Sequence, residues 1–370
     1  MYDSIIVGAG IWGCSVARLL ADRGKRVLVL ERRGAIGGNC RSDIDPATGI
    51  EVHLYGSHIF HTADEEVWRF LRRFTDFNGY RHQVMAKHRG RCYFLPPGLA
   101  LVNQFFDVNL TPAELPEFLR SKRTASLTAP ANFEEQALAL VGSELYEAFF
   151  RNYTMKQWHR DPVELPAALL KRLPFRATYD TGYFADPHQG IPSDGYGKMF
   201  EAMLDSPRIE VKLNTEFVLA ELSDVPTFYS GAPDRLFEYR FGALPWRSLR
   251  FETVREPLPD FQGNSVINYC DPDVPYTRIH EFKHYHPEWR KAFHAPETVI
   301  TREYPKDWTP DDEPYYPINT PESEKLFAIY RHEAARYPQL ILGGRLGDYR
   351  YCNMDQAVAA AFAAVERSFP

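Results

Sequence analysis

The first thirty-one residues constrain the fold more than any other stretch of the chain. A short apolar run, Ser4–Val7, is followed at once by glycines in the spacing G-x-G-x-x-G, at Gly8, Gly10 and Gly13. This pattern predicts a buried parallel strand, a tight turn, a helix and a second strand at Val27–Leu30. Glu31 ends that second strand, where a carboxylate can accept hydrogen bonds from ribose hydroxyls. The stretch therefore predicts a dinucleotide-binding βαβ unit with a pyrophosphate at the helix N-terminus. A purely structural glycine turn would leave Glu31 unexplained.

A second glycine pair, Gly37 and Gly38, follows the acid after a few residues. This spacing resembles that of FAD-dependent proteins of the glutathione-reductase and amine-oxidase type, in which the extra glycines let another backbone segment pass close to the cofactor. Glu31 disfavours NADP, because its carboxylate would repel the 2′-phosphate of that cofactor. FAD is the predicted cofactor.

The bulk composition excludes several classes of protein. The net charge is −6 and no basic stripe is present, which argues against nucleic acid as a main partner. No apolar stretch is long enough to predict a membrane span. The five scattered cysteines favour reduced thiols in a cytoplasmic protein. His53, His58 and His61 share a short loop, but no further ligand stands at metal spacing, and no metal is predicted.

The length of 370 residues predicts two or three domains. An α/β, Rossmann-like FAD-binding domain is expected to be discontinuous and to consist of three stretches: 1–80, 193–240 and 330–370. Residues 81–165 predict an inserted helical domain, in which residues 83–97 form a hairpin around Arg89 and Gly90 and the chain is helical from Leu99 to about Gln157. Residues 166–192 and 241–329 predict an antiparallel β-sheet domain, with a mobile, proline-flanked lid near 167–177.

Ordered motifs then give a resemblance that covers essentially the whole chain. The chain resembles bacterial UDP-galactopyranose mutases in the segments 55–62, 153–158, 182–184, 189–192, 239–244, 274–278, 313–317 and 343–346. The family resemblance implies three domains, of which one contains a six-stranded antiparallel sheet.

The resemblance also implies a reaction. The expected activity is the interconversion of UDP-galactopyranose and UDP-galactofuranose, an isomerase step of cell-surface polysaccharide biosynthesis. N5 of reduced FAD is the expected nucleophile on the anomeric carbon, with no net redox change. A homodimer or higher homo-oligomer is expected, and NAD(P)H is a candidate reductant. Related mutases acting on UDP-N-acetylgalactosamine or a dTDP-6-deoxy sugar share the scaffold, and an FAD-dependent oxidoreductase is a further alternative.

The same resemblance assigns catalytic and substrate-binding residues. Arg172, in the lid, and Arg278 match the arginines that hold the departing diphosphate, a task suited to a fixed, forked cation. These two arginines and His61 are the predicted catalytic residues. Phe184, with Phe149 nearby, is expected to face uracil. The other predicted substrate contacts are His82, Tyr153, Thr154, Trp158, Tyr183, Asn268, Tyr316 and Tyr351. From the residues alone, Arg278 could also be an ordinary ion pair at a strand end.

The residues that the resemblance assigns to FAD are Gly8, Gly10, Trp12, Gly13, Glu31, Arg32, Gly38, Asn39, Ser57, His58, Phe217, Arg345, Tyr351, Asn353 and Met354. A helix that begins near Met354 would direct its positive end towards the flavin edge that carries charge when reduced. Two positions depart from the usual family pattern. Asn353 stands where many members have aspartate, and His82 where many have asparagine.

Overall fold

The computed structural model describes residues 1–123, 129–172 and 175–369, without the side chains of residues 171 and 172. Within these ranges the strands are β1 (Ser4–Val7), β2 (Val27–Leu30), β3 (Ser42–Ile44), β4 (Glu51–His53), β5 (Phe60–Thr62), β6 (Val84–His88), β7 (Arg91–Leu95), β8 (His188–Gly190), β9 (Ile209–Lys212), β10 (Thr227–Tyr229), β11 (Trp246–Glu256), β12 (Val266–Tyr269), β13 (Arg278–Glu281), β14 (Thr298–Asp307), β15 (Tyr316–Pro317) and β16 (Leu340–Leu342).

The helices in the same ranges are α1 (Ile11–Asp22), α2 (Glu65–Leu71), α3 (Leu99–Phe106), α4 (Leu115–Lys122), α5 (Phe133–Val141), α6 (Ser143–Leu145), α7 (Asn152–Trp158), α8 (Gly195–Leu204), α9 (Pro233–Leu236), α10 (Arg290–Phe293), α11 (Pro321–Ala334), α12 (Gly344–Gly347) and α13 (Met354–Ser368). A π-helical turn at Tyr146–Arg151 joins α6 to α7. The remaining helical segments are short 3-10 turns.

Five strands form a parallel sheet in the order β16-β10-β1-β2-β9, and this confirms the predicted α/β fold. All four residues of β2 are buried, as expected for a central parallel strand that is covered on both faces. Val27 and Val29 belong to an apolar cluster with α1, α8 and α13. Leu28 and Leu30 belong to a second cluster with α9 and α11 on the opposite face. The glycine turn after β1 is therefore held at the edge of a sheet that is packed on both sides.

A second sheet has the order β15-β11-β14-β13-β12-β6-β7. It differs from the expected six-stranded antiparallel sheet, since it contains seven strands and its β12–β6 pair is parallel. The hairpin of β6 and β7 confirms the one predicted within residues 83–97, but it pairs with this sheet although it lies in the stretch 81–165 assigned to the helical domain. Val84 and Ala86 of β6 are buried on one face and share an apolar cluster with α3 and α5. The hairpin therefore joins the sheet because its alternating apolar residues need a sheet face, and the helices dock on that face.

The expected lid near 167–177 begins in a 3-10 segment, Ala167–Arg172, whereas residues 173 and 174 lie outside the described residues. In the part of the chain that the structure describes, every helix is too short or too polar to cross a membrane.

A buried ion pair connects β4 to the loop after β13. Glu51 is 2% exposed and accepts hydrogen bonds from the backbone N–H of Tyr196 at 2.8 Å and from Nε2 of His286 at 2.7 Å. Burial opposes the charge on Glu51, but the hydrogen bond from His286 and the proximity of His53, whose Nε2 lies 3.7 Å away, outweigh it and lower the pKa of this carboxyl. Burial also opposes the charge on His286, but the hydrogen bond to Glu51 raises its pKa above the ordinary value. The pair is therefore charged within the core.

We expect this pair to stabilise the fold most strongly between about pH 4.3 and pH 6.5, the unfolded-state pKa values of Glu and His. Because the pKa of His286 is raised in the folded state, its contribution to stability is fully present below about pH 6.5. That contribution is lost as pH rises through the folded-state pKa. Because the pKa of Glu51 is lowered in the folded state, its contribution to stability is fully present above about pH 4.3. That contribution is lost as pH falls through the folded-state pKa.

Glu51→Gln should therefore lower the free energy of unfolding at pH 6 by about 3 kcal/mol, and by less at pH 9, in urea denaturation curves. The exposed Glu201→Gln, which removes a surface pair with Lys198, should leave it almost unchanged. An equal loss for Glu51→Gln at both pH values would contradict the role of charge.

Candidate active site

The dinucleotide fingerprint forms a turn in which backbone segments approach closely. Gly8 lies at φ +98° directly after β1, and α1 begins without a side-chain cap at Gly10. A Cβ on Gly13 would lie 1.9 Å from the carbonyl oxygen of Gly8, and a Cβ on Gly38 would lie 2.8 Å from Cα of Gly10. The glycines are required by these approaches, and the first N–H groups of α1 are available to a phosphate.

A cleft opens beside this turn. It is lined by thirteen of the fifteen predicted cofactor residues: Gly8, Gly10, Trp12, Gly13, Glu31, Arg32, Gly38, Asn39, His58, Phe217, Arg345, Asn353 and Met354. Arg33 also lines the cleft, although sequence reasoning did not single it out. Its guanidinium lies 4.5 Å from the ring centroid of Tyr55 and bonds Glu313 at 2.7 Å. Tyr55 and Glu313 each begin one of the family motifs. These motif positions were the sequence signal from which a role for Arg33 could have been inferred.

Glu31 is placed to hold a ribose. It is 5% exposed, and its two carboxylate oxygens accept hydrogen bonds from the backbone N–H groups of Ala9 at 2.7 Å and Arg33 at 2.8 Å. Each oxygen keeps a lone pair that a ribose hydroxyl can use. Among the described residues, the buried indole Nε1 of Trp12 has no hydrogen-bond partner within the protein. The glycine cradle, the carboxylate and this free donor fit a dinucleotide such as FAD.

The two predicted cofactor residues outside the cleft lining have different surroundings. The hydroxyl of Ser57 hydrogen bonds with Tyr285 and with Nδ1 of His280, so protein groups already engage it. The guanidinium of Arg345 lies over Tyr351, 4.9 Å from the centroid of the tyrosine ring. The rings of Tyr351 and Tyr316 stack with their centroids 5.6 Å apart. Tyr351 therefore connects the cleft to the second group of predicted residues.

Arg345 and the start of α13 form one wall of the cleft. Nη2 of Arg345 donates to the carbonyl of Cys352 at 2.8 Å, just before the helix begins at Met354. Burial opposes the charge of Arg345, but Tyr351 and other neighbours raise its pKa, and the group remains a cation. The positive end of a fifteen-residue helix and a guanidinium therefore face the same cleft and favour negative charge there.

The second group of predicted residues surrounds Arg278 on β13. In the sheet register, Arg278 lies between Asn268 on β12 and Glu303 on β14. Its Nη2 donates to the hydroxyl of Tyr153 at 2.6 Å, and its Nε lies 3.4 Å from the Glu303 carboxylate. The Oδ1 atom of Asn268 and Nε of Arg278 are buried without a hydrogen bond among the described residues. Nε of Arg278 faces its counter-ion Glu303, whereas Oδ1 of Asn268 retains a hydrogen-bond acceptor for a polar ligand.

Buried charges fix the protonation states of this site. Burial opposes the charge of Arg278, but the Glu303 carboxylate outweighs it and raises the arginine pKa well above its ordinary value. Burial also opposes the charge of Glu303, which Arg278 and His280 overcome, so the pKa of this carboxyl is lowered. Nε2 of His280 lies 3.1 Å from Oε2 of Glu303, whereas Arg278 approaches Oε1. Arg278 is therefore a permanent cation with one buried counter-ion.

Tyrosines gather around this guanidinium. Tyr153, Tyr183 and Tyr316 all lie close enough to Arg278 to interact with it electrostatically. Burial raises the pKa of Tyr153 and of Tyr316, so both phenols remain neutral hydroxyl donors at ordinary pH. The structure thus brings together four residues that the resemblance assigned to substrate binding.

His61 lies in a neighbouring aromatic stack. Its Nδ1 is 2.6 Å from a carboxylate oxygen of Asp186, and its ring stacks on Phe184 with centroids 3.7 Å apart. The ring of His82 stacks near the same phenylalanine at 5.7 Å. His61 covers one face of Phe184. A base can therefore stack only on the part of the phenylalanine ring that His61 leaves uncovered. Asp186 was not predicted. It lies two residues after Phe184, which ends the 182–184 motif, and this position was the only sequence signal for it.

The helical segment supplies the remaining predicted residues. Thr154 is 4% exposed and Trp158 half-buried, both on α7 with Tyr153. Phe149 is 5% exposed and packs against Tyr93 and Phe105, in a different apolar cluster from that of Phe184. The two phenylalanines that were expected to lie together are thus in separate clusters. The side chain of Arg172 lies outside the described part of the structure.

Comparison with known proteins identifies similar families and structures. A family model described as UDP-galactopyranose mutase matches residues 148–351, and one described as a NAD(P)-binding Rossmann-like domain matches residues 6–74. The chain is 38% identical to dTDP-fucopyranose mutase of Escherichia coli over 99% of this chain and 98% of that protein. It is 42% identical to a probable UDP-galactopyranose mutase of Klebsiella pneumoniae over 98% of this chain and 93% of that protein. A solved structure of reduced UDP-galactopyranose mutase superposes with a TM-score of 0.77 at 16% identity, covering 99% of this chain and 95% of that one.

The glycine turn gives a testable prediction for cofactor binding. Gly13→Ala should lose most of the bound FAD, because its Cβ would overlap the Gly8 carbonyl, and should destabilise the fold by about 3 kcal/mol. The flavin-to-protein absorbance ratio and a urea denaturation curve would measure both effects. Gly197→Ala in α8 is the control, since its Cβ would meet nothing closer than 3.6 Å. Full flavin content in Gly13→Ala would refute the assignment of this turn.

Proposed function

Because this chain belongs to the UDP-galactopyranose mutase family, we propose that it interconverts UDP-galactopyranose and UDP-galactofuranose with FAD as its cofactor. The observation that carries this proposal is a half-buried, permanently charged guanidinium, Arg278, with neutral tyrosine hydroxyls around it and a dinucleotide cleft next to it. Such a site suits a leaving group that carries a diphosphate.

When bound and reduced, FAD supplies a nucleophilic nitrogen, N5, to the anomeric carbon without net redox change. The protein must then stabilise the negative charge that accumulates on the departing nucleotide. Arg278 is held charged by Glu303, so it needs no proton uptake when the bond to the sugar breaks. Arg172, from the lid, is proposed as the second cation.

The neutral groups orient the same oxygens. Tyr153 and Tyr316 can donate hydroxyl protons to the diphosphate without adding a charge that must be neutralised when the nucleotide returns. Asn268 has a free carbonyl oxygen for a sugar hydroxyl or a uracil N–H. Returning the nucleotide to the same sugar requires that it stay in the site, and several weak donors hold it there without trapping it.

His61 is proposed to act on the sugar side. Its Nδ1 faces the carboxylate of Asp186, which leaves Nε2 for a sugar hydroxyl. The ring also stacks on Phe184, so its orientation is fixed from two directions. A cytoplasmic location, a homodimer, NAD(P)H as reductant and a role in cell-surface polysaccharide biosynthesis remain predictions from the family resemblance.

The strongest alternative is a mutase for a dTDP-6-deoxy sugar. The relative named dTDP-fucopyranose mutase matches almost the whole chain at 38% identity, close to the 42% of the probable UDP-galactopyranose mutase. UDP-N-acetylgalactosamine is a further candidate substrate of the same chemistry. An FAD-dependent oxidoreductase fits less well, because an arginine and tyrosine site for a diphosphate has no role in amine or alcohol oxidation.

We predict that dithionite-reduced protein converts UDP-galactofuranose into UDP-galactopyranose through many turnovers for each reducing equivalent. Chromatography would follow the sugars while anaerobic absorbance follows the flavin. Oxidised protein is the control and should be nearly inactive. Consumption of reductant in proportion to product would indicate an oxidoreductase, and UDP binding without turnover would indicate a binding protein. Competition among UDP-galactose, UDP-N-acetylgalactosamine and dTDP-fucose in the same assay would identify the preferred sugar.

We also predict that Arg278→Ala and Arg172→Ala each lower kcat/KM by about a hundredfold, the scale for losing a charged donor at a leaving group. Arg278→Lys should recover only part of this loss, because it keeps the charge but loses the fork that spans Tyr153 and Glu303. Arg255→Ala, which removes an exposed pair with Asp45, is the matched control. Near-normal turnover of either arginine variant would remove that residue from the mechanism.

A further inference from the structure

The side chain of Lys156 has an unusual environment between two residues of the candidate site. It lies on α7 between Tyr153 and Trp158, and its ammonium donates to four backbone carbonyls. The acceptors and their distances are Tyr269 at 2.7 Å, Asp271 at 2.9 Å, Val274 at 3.0 Å and Tyr276 at 3.2 Å. An ammonium has three protons, so these contacts use its full donor capacity, and Lys156 has none left for a ligand.

Three of the four carbonyls lie in the connection between β12 and β13, and the fourth belongs to Tyr269, the last residue of β12. This connection begins two residues after Asn268 and ends just before Arg278, the two residues that face each other in the sheet. Four carbonyl dipoles that point at one site repel each other and are poorly solvated unless a cation fills it. The path of the connection therefore depends on Lys156, a residue of a different structural unit.

The helix that carries Lys156 also carries a residue of the diphosphate site. Tyr153 lies one turn earlier on α7, and its hydroxyl meets Arg278 at 2.6 Å. Arg278 is positioned from the other side by Glu303 on β14. A second contact holds α7 to the sheet, because Nε of the buried Arg247 donates to the carbonyl of Gln157 at 3.2 Å. The distance between the hydroxyl and the guanidinium is thus set by how α7 docks on the sheet.

We propose that Lys156 is a positioning residue, which holds α7 against the β12–β13 connection so that Tyr153 and Arg278 form a preorganised diphosphate site. This inference rests on the proposed function, since it assumes that these two residues bind the nucleotide. Lys156 acts through geometry alone, because its protons are used by the carbonyls. Preorganisation increases affinity by removing the cost of ordering side chains when the ligand binds.

The test is UDP binding to the FAD-loaded protein, measured by calorimetry, with steady-state kinetics of the reduced protein. Lys156→Met keeps the length of the side chain but removes every hydrogen bond, and should weaken UDP binding by about tenfold or more while FAD content is retained. Lys156→Gln keeps two N–H donors and should therefore weaken UDP binding less. It serves as the test variant if Lys156→Met does not fold. Lys198→Met, at an exposed lysine on α8, is the matched control.

A double-mutant cycle separates positioning from a general structural role. If Lys156 acts by placing Tyr153, then Lys156→Met should have little further effect on UDP affinity once Tyr153→Phe has removed the hydroxyl. Fully additive effects of the two substitutions, or unchanged UDP affinity in Lys156→Met, would overturn the proposal. If the wild-type protein itself fails to bind UDP, the proposed function fails instead, so the two failures are distinguishable.

Discussion

The ion pair between Arg278 and Glu303 is the interaction on which the candidate site depends. The half-buried guanidinium of Arg278 loses part of its hydration, the fully buried carboxylate of Glu303 loses nearly all of its own, and their mutual attraction compensates for both losses. Such a pair contributes little net stability compared with an apolar pair, but removing one partner leaves the other as a buried, unpaired charge. The sheet therefore maintains a fixed positive charge at the place where we propose that the nucleotide leaves the sugar. His280 binds the other oxygen of Glu303, so the carboxylate is itself held in place.

This arrangement explains why the site lies where three parts of the chain meet. The guanidinium and its counter-ion require adjacent strands, because only a sheet register fixes Asn268, Arg278 and Glu303 side by side. A pyrophosphate of FAD requires a glycine turn and a free helix N-terminus, which a parallel sheet provides. The neutral hydroxyl of Tyr153 comes from a helix outside both sheets. No single unit contains all these groups, and the stack of Arg345, Tyr351 and Tyr316 connects the cofactor cleft with the charged site.

The parts of this structure that could be predicted from sequence are those fixed by local physics. The turn at Gly8 and Gly13 is determined by steric contact over a few residues, and Glu31 follows from strand length. The hairpin of β6 and β7 was predicted from its own residues, because the turn at Arg89 and Gly90 is local. Its place in the sheet could not be predicted, because its parallel partner β12 is far away in sequence and no short turn connects the two strands. Ser57 stays a predicted FAD contact, but the partners of its hydroxyl, His280 and Tyr285, come from a distant segment. Long-range packing also sets the neighbours of Phe149, which are Tyr93 and Phe105.

The two departures from the family pattern have different physical consequences in this structure. His82 is 6% exposed, and burial, together with the nearby charge of Arg278 and neighbouring histidines, lowers its pKa to about 3. It is therefore neutral at ordinary pH, like the asparagine found in many relatives, and the difference lies in its size and in its stacking near Phe184. Asn353 precedes the first turn of α13, and its backbone N–H donates to the side chain of Gln356 at 3.0 Å. An aspartate at that position would cancel part of the positive helix terminus that faces the cleft. With asparagine, the positive helix terminus keeps its full effect on the cleft and favours negative charge there.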